Sequence, residues 1–169
     1  MVKQGPEIGR ALGKGTDYSR LILVWDHHGS GWEKLSGAEA VARIRQRLDG
    51  VTWTGRSAAS VVVPELEEWL WRGPASVARH LGSADFDKVV ASAASGLNLS
   101  RERCCLERPK ELFEAVLHQR KRRRPLPEDF KMLGSSANLT NWSDSDKFGQ
   151  LVAILRSWFP ARRQSRHNI

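Results

Sequence analysis

The chain has 169 residues, 40% hydrophobic and 27% charged, enough for one globular domain with a core of its own. It holds no run of about 18 apolar residues for a membrane span, and Met1 to Lys14 lack the apolar stretch of a secretory leader, so no membrane partner is expected. The formal charge of +8 sits on two appendages, Arg120-Lys121-Arg122-Arg123-Arg124 and Arg162, Arg163 and Arg166, beside a near-neutral body, which excludes a uniformly cationic architectural protein.

In chain order, the glycine-rich stretch from Met1 to Ser19 admits one short helix, about Glu7 to Leu12. Leu21-Ile22-Leu23-Val24-Trp25 has no alternation and reads as a strand buried on both faces, ending at Asp26-His27-His28-Gly29. A helix is expected over Ser36 to Leu48, with Val41, Ile44 and Leu48 inward and Arg43, Arg45 and Arg47 solvated; Asp49-Gly50 stops it. A second strand runs over Ala58 to Val63, and Pro64 is placed to open a helix reaching Trp71. Gly73-Pro74 breaks that helix, and short helices follow over Ala75 to Leu81 and Asp85 to Ala94.

Pro109 opens a further helix with Leu112, Phe113, Val116 and Leu117 on one face, running into the five-residue basic cluster. A short helix is expected over Glu128 to Leu133. In the last one Ser143 acts as the cap and Phe148, Leu151, Val152, Leu155 and Phe159 recur at helical spacing to Pro160. Residues 161–169 read as a disordered basic tail. The fold class is therefore α/β, a parallel sheet flanked by helices with a helical C-terminal part over 108–160. Two strands alone would be poorly covered, so weaker strands are expected at Val51 to Thr54 and Ala137 to Thr140, or a strand is missing at the N-terminus.

Ligands of open parallel sheets bind beyond the carboxyl ends of the strands. Asp26 and His28 stand at that end of the first strand, and Glu65, Glu67 and Glu68 just past that end of the second. If the strands are parallel neighbours, these groups share one crevice. Two carboxylates and an imidazole suit magnesium or manganese, with His28 tilting the set toward manganese or zinc. The plainer alternatives are an Asx-turn at Asp26, exposed loop histidines, and glutamates that complement a helix dipole.

Arg120, Lys121, Arg122, Arg123 and Arg124 exceed what a helix C-terminus needs and are candidate phosphate contacts for nucleic acid. Trp69 and Trp71 read as core or interface rather than base-stacking platforms. The adjacent Cys104 and Cys105 match no zinc spacing and read as inert, reduced thiols of a cytoplasmic protein. Gly29-Ser30-Gly31 is too short for a phosphate-binding loop. Asp26-His27-His28 is similar to the signature of the DHH phosphoesterases, but the further aspartate motifs of that family lie upstream, and only 25 residues precede Asp26.

Val63-Pro64-Glu65-Leu66-Glu67-Glu68-Trp69-Leu70 resembles the P-E-x-E-x-W-L segment of small bacterial Toprim-like proteins, the group called domain of unknown function 4276. Leu21 to His28, Arg108-Pro109-Lys110-Glu111 and Trp158-Phe159-Pro160 also look like one branch of that group, found in methylation-associated anti-phage defence loci. The resemblance spans about Leu21 to Pro160 and implies one Toprim domain over 1–160 with a divalent-metal site that processes nucleic acid. It would make Asp26 and Glu67 catalytic, and Asp26, His28, Glu65 and Glu67 ligands of Mg2+ or Mn2+. Other subunits of a defence operon are the implied protein partners. Two departures stand out. His28 occupies the place of a second acid, and no strand ending in the usual first glutamate precedes Leu21, Glu7 being a poor substitute. Truncation or lost catalysis would account for the second, truncation more economically. A metal-dependent nuclease-like protein and a non-catalytic adaptor are the two expectations, with a subunit using a Trp-rich surface as a third.

Overall fold

A computed structural model of the chain describes residues 4–13, 18–82, 84–143 and 145–160. The tail expected to be disordered over 161–169 lies outside the described residues. Helix α1 (Gly5–Gly13) precedes strand β1 (Leu21–Asp26), helix α2 (Gly37–Leu48) and strand β2 (Ser57–Val62). Seven helices follow: α3 (Glu68–Arg72), α4 (Pro74–Leu81), α5 (Phe86–Gly96), α6 (Arg101–Glu107), α7 (Pro109–Lys121), α8 (Pro127–Ser136) and α9 (Asp146–Trp158). No helix among the described residues is long and apolar enough to cross a membrane.

The α/β reading holds in its coarse form. β1 and β2 pair in parallel, Leu21 opposite Ser57 through to Asp26 opposite Val62, with α2 as the crossover. Ser36 caps α2 in a reciprocal box: its hydroxyl accepts from the Glu39 amide, and the Glu39 carboxylate accepts from the Ser36 amide at 2.7 Å. The inward stripe is Ala40, Ile44 and Leu48, all buried, with Val41 half-buried beside them and the three arginines exposed. Burying a side chain such as Ile44 or Leu48 contributes about 1.5–3 kcal/mol each.

The additional strands are not there. Among the described residues the sheet has two strands. Val51 to Thr54 falls largely in a π-helical turn, Asp49–Trp53, and Ala137 to Thr140 runs into a 3-10 turn, Leu139–Trp142. In each case a side chain decides. The Trp53 indole, 1% exposed, donates to the Gly9 carbonyl at 2.7 Å and packs inward from a helical turn. Asn138 accepts from the Thr140 amide at 3.1 Å and closes a local turn instead of a ladder. The small sheet is covered because Trp25, Trp32 and Trp53 are all buried over it with Ile44 and Leu48. An indole buries about 150–250 Å², so the tryptophan excess supplies bulk that further strands would otherwise bring.

A second core is wholly helical, built from Leu70, Trp71, Val77, Phe86, Val90, Leu112, Phe113, Val116, Leu117 and Leu133. It contains the whole inward face expected of α7. Helix α6 was not foreseen; Ser100 caps it through its hydroxyl at 3.3 Å from the Arg103 amide. Ser143 does not cap α9. The N-terminal position there is Ser145, and the Ser143 hydroxyl instead donates to the Thr140 carbonyl at 2.5 Å. Helix α9 lies against β2 with Ile154 and Trp158 near Ser57 to Ala59, and its apolar stripe stays partly open, Phe159 being 62% exposed.

Candidate functional site

The link between the two cores is the segment from Val63 to Glu67, and the candidate site forms on it. Pro64 does not open a helix; the helical run begins at Glu68, after tight turns in which Glu68, Trp69 and Leu70 donate to the carbonyls of Glu65, Leu66 and Glu67. Two backbone bonds hold the Asp26 loop against this segment: His27 donates to the Val62 carbonyl at 2.8 Å, and His28 to that of Pro64 at 3.1 Å. Asp26 completes the seam, its Oδ1 accepting from the Leu66 amide at 2.8 Å. The Asp26 carboxylate thus reaches across to the Leu66 amide, 40 residues on, rather than closing an Asx-turn into the glycine loop.

The three glutamates divide by partner. Glu68 is structural: it is buried, takes Arg72 through Nε at 2.6 Å and Nη2 at 2.5 Å, and faces the Ser145 hydroxyl at 3.5 Å. Glu65 is 5% exposed; His28 Nδ1 lies 3.4 Å from its Oε1, while its Oε2 is buried with no hydrogen-bond partner among the described residues. Glu67, also buried, lines a cavity of about 400 Å³ with Asp26, Leu66, Trp69, Leu70, Phe130, Gly134 and Trp142. A cavity of about 480 Å³ between the 3-10 turn and α9 is larger but has no carboxylate on its wall.

Burial, which penalises a charged carboxylate, pushes up the pKa values of Asp26, Glu65 and Glu67. Repulsion adds to it. Glu111 and Asp26 raise Glu65, and Asp26 and Glu65 raise Glu67. The Lys110 ammonium opposes the rise at all three. Lys110 and Glu111 come from the first turn of α7, which the Trp71 indole anchors by donating to the Pro109 carbonyl at 2.9 Å. Neither was among the expected site residues. Both lie in the Arg108-Pro109-Lys110-Glu111 segment, far in sequence from the strand ends. One oxygen of Glu111 accepts from Arg108, and the other is buried without a partner among the described residues.

Asp26, His28, Glu65 and Glu67 are thus brought together electrostatically, with His28 against Glu65 and Asp26 against Glu67. Among the described residues no three His, Cys, Asp or Glu side chains already stand in a metal-holding arrangement. The oxygens of Asp26, Glu65 and Glu67 are carboxylate, the donor type that hard divalent ions take, and the buried Glu65 Oε2 has no hydrogen-bond partner among the described residues.

No family model, curated protein or solved structure matches the chain. The cluster's own chemistry is therefore the ground for a functional reading.

The basic cluster is not uniform. Arg122 ends α7 with a φ of 54°, and Lys121, Arg122 and Arg124 are exposed. Arg123 instead turns inward, its guanidinium meeting both oxygens of the buried Asp129 at 2.5 and 2.7 Å. Asp129 also accepts from the Leu126 amide at 2.8 Å and meets His80 Nε2 at 2.7 Å. Trp69 and Trp71 are core residues as expected, although Trp69 also forms part of the cavity wall. Cys104 and Cys105 carry raised thiol pKa values because of burial, Cys105 at about 11, in keeping with inert thiols.

Proposed function

We propose that the chain is a divalent-metal-dependent, nuclease-like component of a bacterial defence system, acting on nucleic acid at the Asp26–Glu65–Glu67 cluster, in a Toprim-like domain. The observation that carries the reading is the buried oxygen of Glu65 that has no partner among the described residues, set among carboxylates whose pKa values burial raises, with repulsion adding to the rise at Glu65 and Glu67. Asp26, Glu65 and Glu67 would hold Mg2+ or Mn2+, with His28 at the rim. The bound ion would polarise a phosphoryl oxygen and lower the pKa of water. The residues do the rest. Asp26, tied to the Leu66 amide, keeps its carboxylate at the strand ends. Lys110 offers positive charge to a phosphate drawn toward an otherwise acidic pocket. The exposed cations of the Arg120 to Arg124 segment bring phosphate to the domain without reading sequence.

A plasmid-nicking assay with Mg2+ or Mn2+ tests this. Nicking that EDTA abolishes, and that Asp26→Ala and Glu67→Gln remove from folded protein, is the expected result. Monodisperse protein that takes up manganese yet never cuts single- or double-stranded nucleic acid would overturn it. The second reading is a non-catalytic nucleic-acid- or protein-binding adaptor. It is favoured by the exposed apolar side chains Phe130, Met132 and Leu139, which are 41%, 49% and 55% accessible. An adaptor's binding would be indifferent to Asp26→Ala.

A further inference from the structure

The cavity beside the cluster has two chemically different walls. Asp26 and Glu67 form the acidic part; Trp69, Phe130 and Trp142, with Leu66 and Leu70, form an aromatic and aliphatic part. The Trp69 and Trp142 rings lie 5.8 Å apart at 34°, and both meet Phe148 edge-on, at 5.2 and 5.4 Å. Trp69 is thereby fixed at the back, while Trp142 is half-buried and Phe130 is 41% exposed. Phe130 and Gly134 are one turn apart on α8 and present one face. A Cβ built at Gly134 would meet nothing within 4 Å, so that stretch of wall is bare backbone with space before it.

The same helix is fastened to the basic turn. Asp129, next to Phe130, grips Arg123 and receives the Leu126 amide, while Lys121, Arg122 and Arg124 stay exposed around that bond. A cationic turn and an aromatic-walled cavity are therefore held on one short piece of chain.

Resting on the reading of the cluster as a nucleic-acid site, we infer that this cavity seats an unpaired nucleobase, and that the substrate class is single-stranded nucleic acid. Every base has a flat π-face that stacks on Trp142 and Phe130, and a volume of about 400 Å³ falls in the range of small-ligand sites. A base in a duplex has both faces stacked on its neighbours and cannot enter. The strand's phosphates lie along Lys121, Arg122 and Arg124, and the phosphodiester beside the seated base is delivered to Asp26 and Glu67. A protein side chain is the other conceivable occupant, but it would leave the cationic turn without a counter-charge.

The test uses the full chain in EDTA, so that binding is read apart from any metal chemistry. Fluorescence anisotropy with labelled oligonucleotides of about 12 nucleotides, single-stranded and duplex, gives the affinities, and quenching of tryptophan emission reports ring contact. Tighter binding of the single strand is expected, with quenching that Trp142→Phe diminishes. Phe130→Ala is expected to weaken single-strand binding about 5- to 150-fold, the range for losing one stacked base. Gly134→Leu fills the space without replacing a carboxylate or an aromatic ring, and it improves helix propensity; it should weaken the single strand without lowering the melting temperature. Equal or tighter duplex binding would overturn the inference. So would full single-strand affinity in folded Gly134→Leu and Phe130→Ala. Failure to bind either oligonucleotide would overturn it as well. Single-strand binding without any metal-dependent cutting would overturn the nuclease reading and leave this one standing.

Discussion

Asp129→Asn is the most informative change to the helical half. The carboxylate is 2% exposed and serves three partners: Arg123 and the Leu126 amide in the turn between α7 and α8, and His80 on α4. Asparagine keeps the shape and one acceptor but loses the charge and the two-oxygen grip. Breaking a buried ion pair by removing one partner costs about 3–5 kcal/mol. Arg123 retains 35% exposure and can turn to water, which places the cost at the low end. About 3 kcal/mol in a chain of this size is a fall of about 6–12 °C in melting temperature. The Arg123 bonds, against the opposing effect of burial, hold the Asp129 carboxyl well below its ordinary value of 3.8. A depressed acid contributes stability that is complete above its unfolded value and lost as pH falls through that value toward the folded one. The gap between wild type and variant should therefore be full at about pH 7 and shrink below about pH 4, as measured by thermal unfolding followed by circular dichroism. A gap under about 2 °C at neutral pH, or one equally wide in acid, would refute the argument.

Arg123→Gln should lower the melting temperature with little effect on the salt dependence of nucleic-acid binding. Arg122→Gln and Arg124→Gln should leave stability alone, and each should reduce the slope of log affinity against log salt by about 1. The cluster acids give the opposite pH behaviour to Asp129. Asp26, Glu65 and Glu67 have raised values, so they oppose folding at neutral pH, and the opposition fades as pH falls through those values toward the ordinary ones. Manganese should accordingly raise the melting temperature at neutral pH more than in mild acid, and Glu67→Gln should raise it without metal, both readable by scanning fluorimetry. Cys105, at about 11, should resist iodoacetamide in native protein at mildly alkaline pH and react promptly after denaturation, followed by mass spectrometry.

What was legible in the sequence were the elements whose partners lie nearby. The unbroken apolar run of β1, the Ser36 and Glu39 box of α2, and the inward face of α7 each have local causes, and each appears. Val51 to Thr54 was a candidate strand because a sheet of two strands would be poorly covered. The indole of Trp53 had a partner 44 residues away in Gly9, and no local pattern reports that bond. The site divided in the same way. Asp26, Glu65 and Glu67 were found because strand ends and a short turn place them together. Lys110 and Glu111 were missed because a tryptophan–carbonyl bond between α3 and α7 brings them in.

The unequal arginines show why charge counts alone mislead. A run of five basic residues looks like one electrostatic object, yet the structure uses Arg123 to tie α7 to α8 and leaves Lys121, Arg122 and Arg124 at the surface. The tie orients the others, because Asp129 adjoins the cavity residue Phe130 on the same helix. The acids follow the same logic. Glu68 is consumed by Arg72 inside the fold, and that i,i+4 pairing lies within the short helix that Glu65 and Glu67 immediately precede. In both clusters one member is neutralised inside the fold while its neighbours, cationic in one and anionic in the other, keep their charge toward solvent or the cavity, and it is on these neighbours that the proposed function rests.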